Sequence, residues 1–365
     1  MKTEASIDKS RMTEETRSAP KVVRTPHIAP SIIVVDGLPG CGKTMMSPIV
    51  SALDRVELMQ YSYEIEYACS LAHLGKIDRD ASVVLIRLFS DLQLYNVMMS
   101  RETNFRWTDL SSVRLNPKPL KYLVRLFQAG DAAVIDRVKR KAPILHLVTH
   151  MLFNVSHVLF DALGDRLTFI EVVRHPLYMI KQQYAYQHRY GTDVRDFNVW
   201  FEYKGKSLPW FAKGWEEKYI GANSMDQVIY MIEETWRTRR NSLALLSNES
   251  RARFVTIPFE RYVMDPEPYM SQIERVAGTR VTKVTRREMK RQKVPRKMYA
   301  EGVSLPIYRE YGWEPPGAGT DEAREFEKRR RLAEEKATSE AMQVLDRLCS
   351  EYEQNFMRSN APLDL

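Results

Sequence analysis

The sequence has 365 residues, of which 44% are hydrophobic and 28% charged, which excludes a mainly disordered chain and suffices for one large domain or two smaller ones. Its three cysteines, Cys41, Cys69 and Cys349, are odd in number and far apart, which excludes a disulfide framework and indicates a reducing compartment. The net charge is +8, and residues 280–297 alone carry nine basic side chains against one acidic side chain, which favours either an anionic partner or a solvated helix face.

The sequence contains no apolar run of about 18 residues, the length that a membrane-spanning helix needs. Its first 20 residues lack the apolar region of a secretory signal. We therefore expect a cytoplasmic protein without a membrane span.

Residues 1–30 are polar, charged and interrupted by prolines, as in a flexible N-terminal arm. Strand and helix patterns then alternate along the chain. Strands are predicted at 31–36, 56–62, 132–136, 144–149, 167–173 and 254–259, and helices at 43–53, 64–74, 81–100, 154–163, 177–190, 226–246, 266–276 and 321–356.

This alternation favours an α/β protein with a three-layer fold, in which helices cover both faces of a mainly parallel central sheet. We predict a single domain over residues 31–310. Residues 191–223 interrupt the pattern and are rich in aromatic side chains, so we interpret them as an insertion that packs in the core or walls an acceptor site. Residues 321–357 form a C-terminal helical extension whose apolar stripe needs a partner surface, which allows a homo-oligomer.

The stretch GLPGCGKT matches the phosphate-binding pattern G-x-x-x-x-G-K-[ST] in full and lies between a predicted buried strand and a helix. The backbone N–H groups of such a loop and the positive end of the following helix cradle phosphate oxygens. Lys43 adds a positive charge, and the hydroxyl of Thr44 can bind magnesium or a phosphate oxygen. The predicted binding residues are Gly37, Pro39, Gly40, Cys41, Gly42, Lys43 and Thr44. A second G-K-S, at 205–207, has no preceding glycine or strand and is interpreted as unrelated.

The loop alone does not distinguish an ATP-dependent kinase or NTPase from other enzymes that bind phosphonucleotides. Enzymes that use ATP with magnesium need an acidic residue at the end of a neighbouring strand. Asp136, which ends AAVID, and Glu171, within LTFIEVV, are the candidates. Asp136 is the better placed, because the carboxyl end of a strand faces the ligand crevice.

Three later stretches, in their order, resemble the PAPS-dependent sulfotransferases. They are KAPILHLVTHMLFNVSHVLFDAL at 141–163, FIEVVRHPLYMIKQQYAY at 169–186 and RFVTIPFERYVMDPEPYMSQIERVAGT at 253–279. Together with the loop they extend the resemblance over about residues 32–278. It implies one α/β domain that transfers a sulfuryl group from PAPS to a hydroxyl or amine, with PAP as product and no nucleic-acid partner. A nucleotide-binding protein without transfer activity is a further alternative.

The same resemblance implies the roles of several residues. Arg174 ends the strand where the family binds the 3′-phosphate, and Gln182 stands where the family has a serine. Arg296 and Lys297 lie where the family places a second basic contact to that phosphate. The loop departs from the family because Gly40 replaces a basic residue and Lys43 is a kinase-type lysine, which would then act at the bridging oxygen.

Sulfuryl transfer also needs a base for the acceptor. The family's glutamate after the loop helix has no direct match here, and Glu64 and Glu66 are the nearest acids. Charge stabilisation at a helix N-terminus is the alternative role of these two carboxylates. The other possible bases are His146, His150 and His175, which otherwise would be structural.

Overall fold

The computed structural model describes residues 20–109, 111–303, 309, 316 and 321–358. The strands are β1 (Ser31–Asp36), β2 (Gln60–Tyr61), β3 (Ile144–Val148), β4 (Leu167–Val173), β5 (Trp200–Tyr203), β6 (Lys206–Pro209) and β7 (Phe254–Pro258). The helices before β5 are α1 (Lys43–Ser51), α2 (Tyr63–Leu74), α3 (Arg79–Met99), α4 (Pro119–Arg125), α5 (Ala132–Lys141), α6 (His157–Leu163) and α7 (Pro176–Gln187). Those after it are α8 (Glu216–Gly221), α9 (Ser224–Leu245), α10 (Asn248–Arg251), α11 (Phe259–Met264), α12 (Glu267–Ala277), α13 (Lys283–Arg291), α14 (Glu322–Glu334) and α15 (Ser339–Tyr352).

The central sheet has five strands in the order β2-β3-β1-β4-β7, and all of its pairings are parallel. Every residue of β3 and β4 is buried, so both faces of the sheet are covered. The predicted three-layer α/β class with a mainly parallel sheet is therefore confirmed. Because parallel strands end at the same edge, the segments that follow β1, β3, β4 and β7 meet there.

The strand predicted at 132–136 is wrong, because these residues belong to α5. Val134, Arg137 and Val138 are the buried residues of this helix, and they follow a spacing of three and four. Asp136 is exposed on the outer side of α5 instead of ending a strand. It therefore does not occupy the position on which its predicted metal role depended.

The single helix predicted at 321–356 is also wrong, because α14 and α15 are two helices. Thr338 starts the second one, and its Oγ1 accepts a hydrogen bond from the N–H of Ala341 at 3.3 Å. The two helices pack on α7 and α9 of the same chain, so the chain itself covers the apolar stripe that suggested an oligomer.

Part of the predicted N-terminal arm is fixed to α3. The carboxylate of Asp91 binds the guanidinium of Arg24 at 2.5 Å and accepts the N–H groups of Ile28 at 2.7 Å and Ala29 at 3.1 Å. Residues 1–19 of the arm and the predicted domain boundary near 310 lie outside the described residues. No helix of the described ranges is long and apolar enough to cross a membrane.

Candidate functional site

The glycine-rich loop joins β1 to α1, in the strand-loop-helix context that the sequence predicts. Gly37 and Gly42 have φ values of +148° and +104°, which side chains other than glycine rarely adopt. A Cβ on Gly42 would lie 2.2 Å from the ring of Phe259, so the loop and the start of α11 approach as closely as only glycine allows. Since α1 begins at Lys43, its first N–H groups have no acceptor within the helix and are available to an anion.

Asp36, the last residue of β1, connects the start of the loop to the segment after β3. Its carboxylate accepts hydrogen bonds from Thr149 Oγ1 at 2.8 Å, from the N–H of Leu152 at 3.0 Å and from the N–H of Phe153 at 3.0 Å. These bonds fix the segment after β3 beside the loop. Burial raises the pKa of the Cys41 thiol, so this residue contributes its backbone and not a thiolate.

Three side chains donate to carbonyl oxygens of the loop. Lys43 Nζ donates to Gly37 O at 2.5 Å, Arg174 Nη1 to Gly40 O at 2.9 Å and Gln183 Nε2 to Pro39 O at 2.5 Å. These bonds occupy three carbonyl oxygens of the loop and fix its backbone. Sequence reasoning missed Gln183, although its neighbour Gln182 was named.

The loop opens into a cleft of about 770 Å³. The predicted residues that line it are Pro39, Gly40, Gly42, Lys43, Thr44, Arg174, Gln182 and Arg296. His150, Tyr186, Phe259 and Gln292 complete much of its wall. Residues distant in the sequence thus meet at one edge of the sheet, as the predicted parallel strands require.

Phe259 organises the cationic side of the cleft. The Arg174 guanidinium lies 4.2 Å from the centre of its ring, and that of Arg296 lies 5.4 Å from it. Arg296 also donates to the backbone oxygens of Lys293, at 3.1 Å, and Glu301. It therefore fixes the segment after α13 next to the cleft.

Arg174 is buried and incompletely paired. Its Nε lies 3.8 Å from Glu260 Oε1, which is an ion-pair distance, and it has no hydrogen-bond partner among the described residues. A buried N–H without a hydrogen-bond partner is costly, and the neighbouring Glu260 carboxylate offsets part of that cost. Arg174 also lines the cleft, so its guanidinium can contribute positive charge to an anion there.

The C-terminal hairpin of α14 and α15 positions Glu260, the carboxylate beside Arg174. Tyr352 OH donates to Glu260 Oε2 at 2.5 Å, and Glu260 Oε1 accepts the N–H of His175 at 3.3 Å. Burial raises the pKa of Glu260, and the charge of Arg174 opposes that effect. Arg329 of α14 lies 4.6 Å from the ring centre of Tyr178, and Arg174 lies 5.1 Å from the same ring centre.

His150 is the one of the three candidate histidines that lines the cleft. Its Nδ1 and its backbone N–H each lie 3.0 Å from Glu66 Oε1. A proton on Nδ1 makes the first contact a hydrogen bond to the carboxylate and leaves the lone pair on Nε2. Glu66 and His150 are 84 residues apart in the sequence and meet because β2, which leads into α2, pairs with β3.

The other two histidines have structural surroundings. His146 is fully buried, its Nδ1 lies 2.9 Å from Ser51 Oγ, and burial lowers its pKa to about 3. His175 caps α7, where its Nδ1 accepts the N–H of Leu177 at 3.3 Å. Burial lowers the pKa of His175 to about 4, although Glu353 opposes that shift.

Two tyrosine rings stack near His150. Tyr61 and Tyr63 lie nearly parallel to the imidazole, with ring centres 5.9 and 6.1 Å from its centre. Phe197, from the aromatic-rich insertion, lies 6.3 Å from Tyr63. Trp210 and Trp215 of the same insertion are buried, so it contributes both to the core and to the surroundings of Tyr63.

A second, mainly apolar chamber of about 810 Å³ adjoins the cleft at Thr44, Gln292 and Val303. Pro48, Leu58, Met59, Leu115 and Pro117 are among the residues of its wall. The two spaces together offer a polar part beside the loop and an apolar part beside α1.

Several predicted residues lie elsewhere. Glu64 is exposed on α2, and Lys297 is exposed beyond Arg296. Glu171 is buried and paired with Arg239, whose Nε lies 2.8 Å from both carboxylate oxygens. Among the described residues, no group of three or more His, Cys, Asp or Glu side chains could hold a metal ion.

The fold and the cleft define a three-layer α/β protein with a glycine-rich loop at the carboxyl edge of a parallel sheet. No family model matches this chain, and no curated protein matches it.

Several solved structures match this chain. The sulfotransferase domain from the Synechococcus PCC 7002 olefin synthase is 13% identical, with 93% of this chain and 98% of that chain covered and a TM-score of 0.41. The sulfotransferase domain from the curacin biosynthetic pathway is 13% identical, with 87% and 97% covered and a TM-score of 0.38. Mouse sulfotransferase SULT7A1, complexed with PAP, is 11% identical, with 90% and 86% covered and a TM-score of 0.35. All three are named as sulfotransferases, the family that the sequence motifs resemble.

Proposed function

We propose that this protein is a sulfotransferase-like enzyme that moves a sulfuryl group from PAPS to a hydroxyl or amine. One observation carries the proposal: a single cleft is lined by four loop residues, Gly40, Gly42, Lys43 and Thr44, by Arg174 and Arg296, and by His150. An anion-binding loop, a second cationic site and a base are the three parts that this reaction requires.

The residues fit a nucleotide with phosphates at both ends of its ribose. The loop and the N-terminus of α1 would hold the 5′-phosphosulfate, and the guanidinium of Arg174, which lines the same cleft, would hold the 3′-phosphate. Gln182, whose Oε1 lies 3.2 Å from the position of a Cβ on Gly40, can donate its amide to the same phosphate. The adjoining apolar chamber suits the nucleoside base.

PAPS would supply the sulfuryl group and a phosphate leaving group. The acceptor oxygen or nitrogen forms a bond to sulfur, the bond between sulfur and the bridging oxygen breaks, and the acceptor proton passes to His150 Nε2. Glu66 holds His150 Nδ1 and stabilises the imidazolium that results. Lys43 leaves Gly37 O and neutralises the charge that develops on the departing phosphate oxygen.

A magnesium-dependent kinase or NTPase is the second candidate, and the kinase-type Lys43 and Thr44 favour it. This candidate needs an acidic residue that binds the magnesium ion, and neither nearby aspartate suits that role. Asp136 lies exposed on α5, and Asp36, beside the loop, already accepts three hydrogen bonds. A ligand comparison separates the two candidates.

The contribution of the 3′-phosphate to nucleotide affinity tests this proposal. We expect 3′,5′-ADP to bind more tightly than 5′-AMP without magnesium, and Arg174→Ala to remove that preference. A charge-assisted hydrogen bond contributes about 1.5–3 kcal/mol, so the expected loss is about ten- to a hundredfold for 3′,5′-ADP alone. Isothermal titration calorimetry with both nucleotides measures it.

Arg347→Ala is the matched control, because Arg347 is an exposed arginine of α15 that pairs with Glu233 of α9 and is not among the residues that line the cleft. Arg174→Lys, which keeps a charge beside Glu260, should retain the fold and lose most of the preference. Magnesium-dependent binding of ATP with no preference for a 3′-phosphate would reject the sulfotransferase proposal and support the kinase.

Tyr352 should influence the same preference without touching the ligand. Tyr352→Phe removes the hydroxyl that binds Glu260, so Glu260 is free to draw Arg174 towards itself. We expect about a fivefold weaker affinity for 3′,5′-ADP and an unchanged affinity for 5′-AMP, since one hydrogen bond contributes about 1 kcal/mol. Tyr262→Phe is the control, because this buried hydroxyl contacts Met270 Sδ instead. Equal losses for both nucleotides would assign Tyr352 a purely structural role.

A further inference from the structure

Helix α4 carries its polar side chains inside and its apolar side chains outside. Tyr122 and Arg125 are the buried residues of this seven-residue helix. Leu120, Leu123 and Val124 are exposed, and so is Phe127, just beyond its end. These four positions follow the spacing i, i+3, i+4 and i+7 and therefore share one face. An ordinary surface helix has the opposite arrangement.

A buried ionic cluster fixes this orientation. Glu57 accepts hydrogen bonds from Arg125 Nη1 and Nη2 at 2.8 and 2.9 Å, from Tyr122 OH at 2.9 Å and from Lys121 Nζ at 2.8 Å. Burial alone would raise the pKa of Glu57, but Lys121 and Arg125 outweigh it and lower the pKa to about 2. The cluster stays charged at neutral pH, so rotating α4 to bury its apolar face would strand these groups.

Exposed apolar side chains also precede and follow the helix in the chain. Phe127 is 86% exposed, Leu120 is 71% exposed, and Trp107, in the preceding loop, is 71% exposed. Phe105 and Leu126 are exposed as well. Monomeric proteins rarely expose so many large apolar side chains in one region, so such a surface indicates a binding partner.

Basic side chains accompany this surface. Residues 101–141 contain ten lysines and arginines against four acidic residues. Lys121 and Arg125 are used by Glu57, Arg137 is buried, and Arg106 and Arg101 pair with Asp109 and Asp131. The guanidinium of Arg114 lies 4.3 Å from the ring centre of Trp107, and Lys139, Arg140 and Lys141 are exposed on α5, the next helix of the chain, which like α4 contacts α3. A second copy of this chain would bring the same positive charge, which disfavours self-association through this face.

We propose that α4 and the loop before it bind the surface of a membrane that contains anionic lipids. Leucine, valine, phenylalanine and tryptophan side chains enter the interfacial layer of such a membrane, and lysines and arginines contact the phosphate groups. The exposed face of α4 presents Leu120, Leu123 and Val124, which suit the apolar part of the interfacial layer, and the exposed basic side chains of α5 supply the charge that anionic headgroups attract. Seven residues make a helix about 10 Å long, which lies on a membrane and does not cross it.

Vesicle flotation of the full chain tests this proposal. The protein should float with vesicles of phosphatidylcholine and phosphatidylserine, remain behind with phosphatidylcholine alone, and lose binding as salt increases. The double change Leu120→Gln and Phe127→Gln should reduce the bound fraction by about tenfold or more. Leu245→Gln is the matched control, because Leu245 is 86% exposed at the end of α9 and should not affect binding.

Both altered side chains are exposed, so the double variant should keep the melting temperature of the original chain. If it does not fold, Phe127→Gln alone repeats the measurement. Absent flotation, or equal flotation of the original and altered chains, overturns the proposal. A dimer of the original chain that the double change converts to monomers assigns the face to a second copy and also overturns it.

Discussion

Replacing His150 by alanine should lower the turnover number by about a hundredfold to ten-thousandfold, the usual contribution of a general base. The nucleotide affinity should change little, because the phosphate contacts come from the loop, Arg174 and Arg296 and not from the imidazole. The release of 3′,5′-ADP from PAPS, measured with a panel of phenols, alcohols and amines, gives the turnover number. The best acceptor of the panel is then used for every variant.

A set of variants distinguishes a base from a structural histidine. Glu66→Gln keeps an oxygen that can accept the Nδ1 proton but removes the charge that stabilises the imidazolium, so we expect a loss of about tenfold. Because Glu66 acts through His150, the double variant His150→Ala and Glu66→Gln should be no slower than His150→Ala alone. His157→Ala alters an exposed histidine on α6 and serves as the control. A turnover number within threefold of the original for His150→Ala would reject this role.

The residues of the candidate site whose positions the sequence predicted are those that follow strands. The loop follows β1, Arg174 follows β4, and the two strands pair directly, so predicting a parallel sheet already brought them together. Gln182 is placed by the helix that Arg174 precedes. Glycines at fixed spacing and continuous apolar runs are local signals in the sequence, and the structure has the loop and the strands that they predict.

The parts that failed depend on contacts that no short pattern contains. AAVID has five residues, too few to distinguish a strand from a buried helix turn, and the helical spacing becomes visible only when Arg137 and Val138 are included. The pairing of Glu66 with His150 depends on which strand lies beside β3, which the sequence does not state. By contrast, the break between α14 and α15 had a local signal in Thr338, a residue typical of helix starts.

Replacing Lys43 by alanine should weaken the binding of 3′,5′-ADP and of 5′-AMP alike, by about a hundredfold. The ammonium group is buried beside the loop, where a charge is poorly screened by water and contributes strongly to an anion. Unlike Arg174→Ala, this change should preserve the ratio of the two affinities, because both nucleotides carry the 5′-phosphate. Little stability should be lost, since the Lys43 ammonium group bonds to the carbonyl of Gly37 and to no other of the described residues.

Lys206→Ala provides the control, because Lys206 belongs to the second G-K-S, in the hairpin of β5 and β6, where its side chain is exposed. It should bind both nucleotides like the original chain in the same calorimetric titrations. Taken together, Lys43→Ala and Arg174→Ala separate the two ends of the ligand: one removes affinity for every 5′-phosphate, and the other removes the preference for a 3′-phosphate. If Lys43→Ala binds nucleotides as tightly as the original chain, the glycine-rich loop is a structural turn and not a phosphate-binding site. The role proposed for His150 then fails as well, because no nucleotide binds beside it.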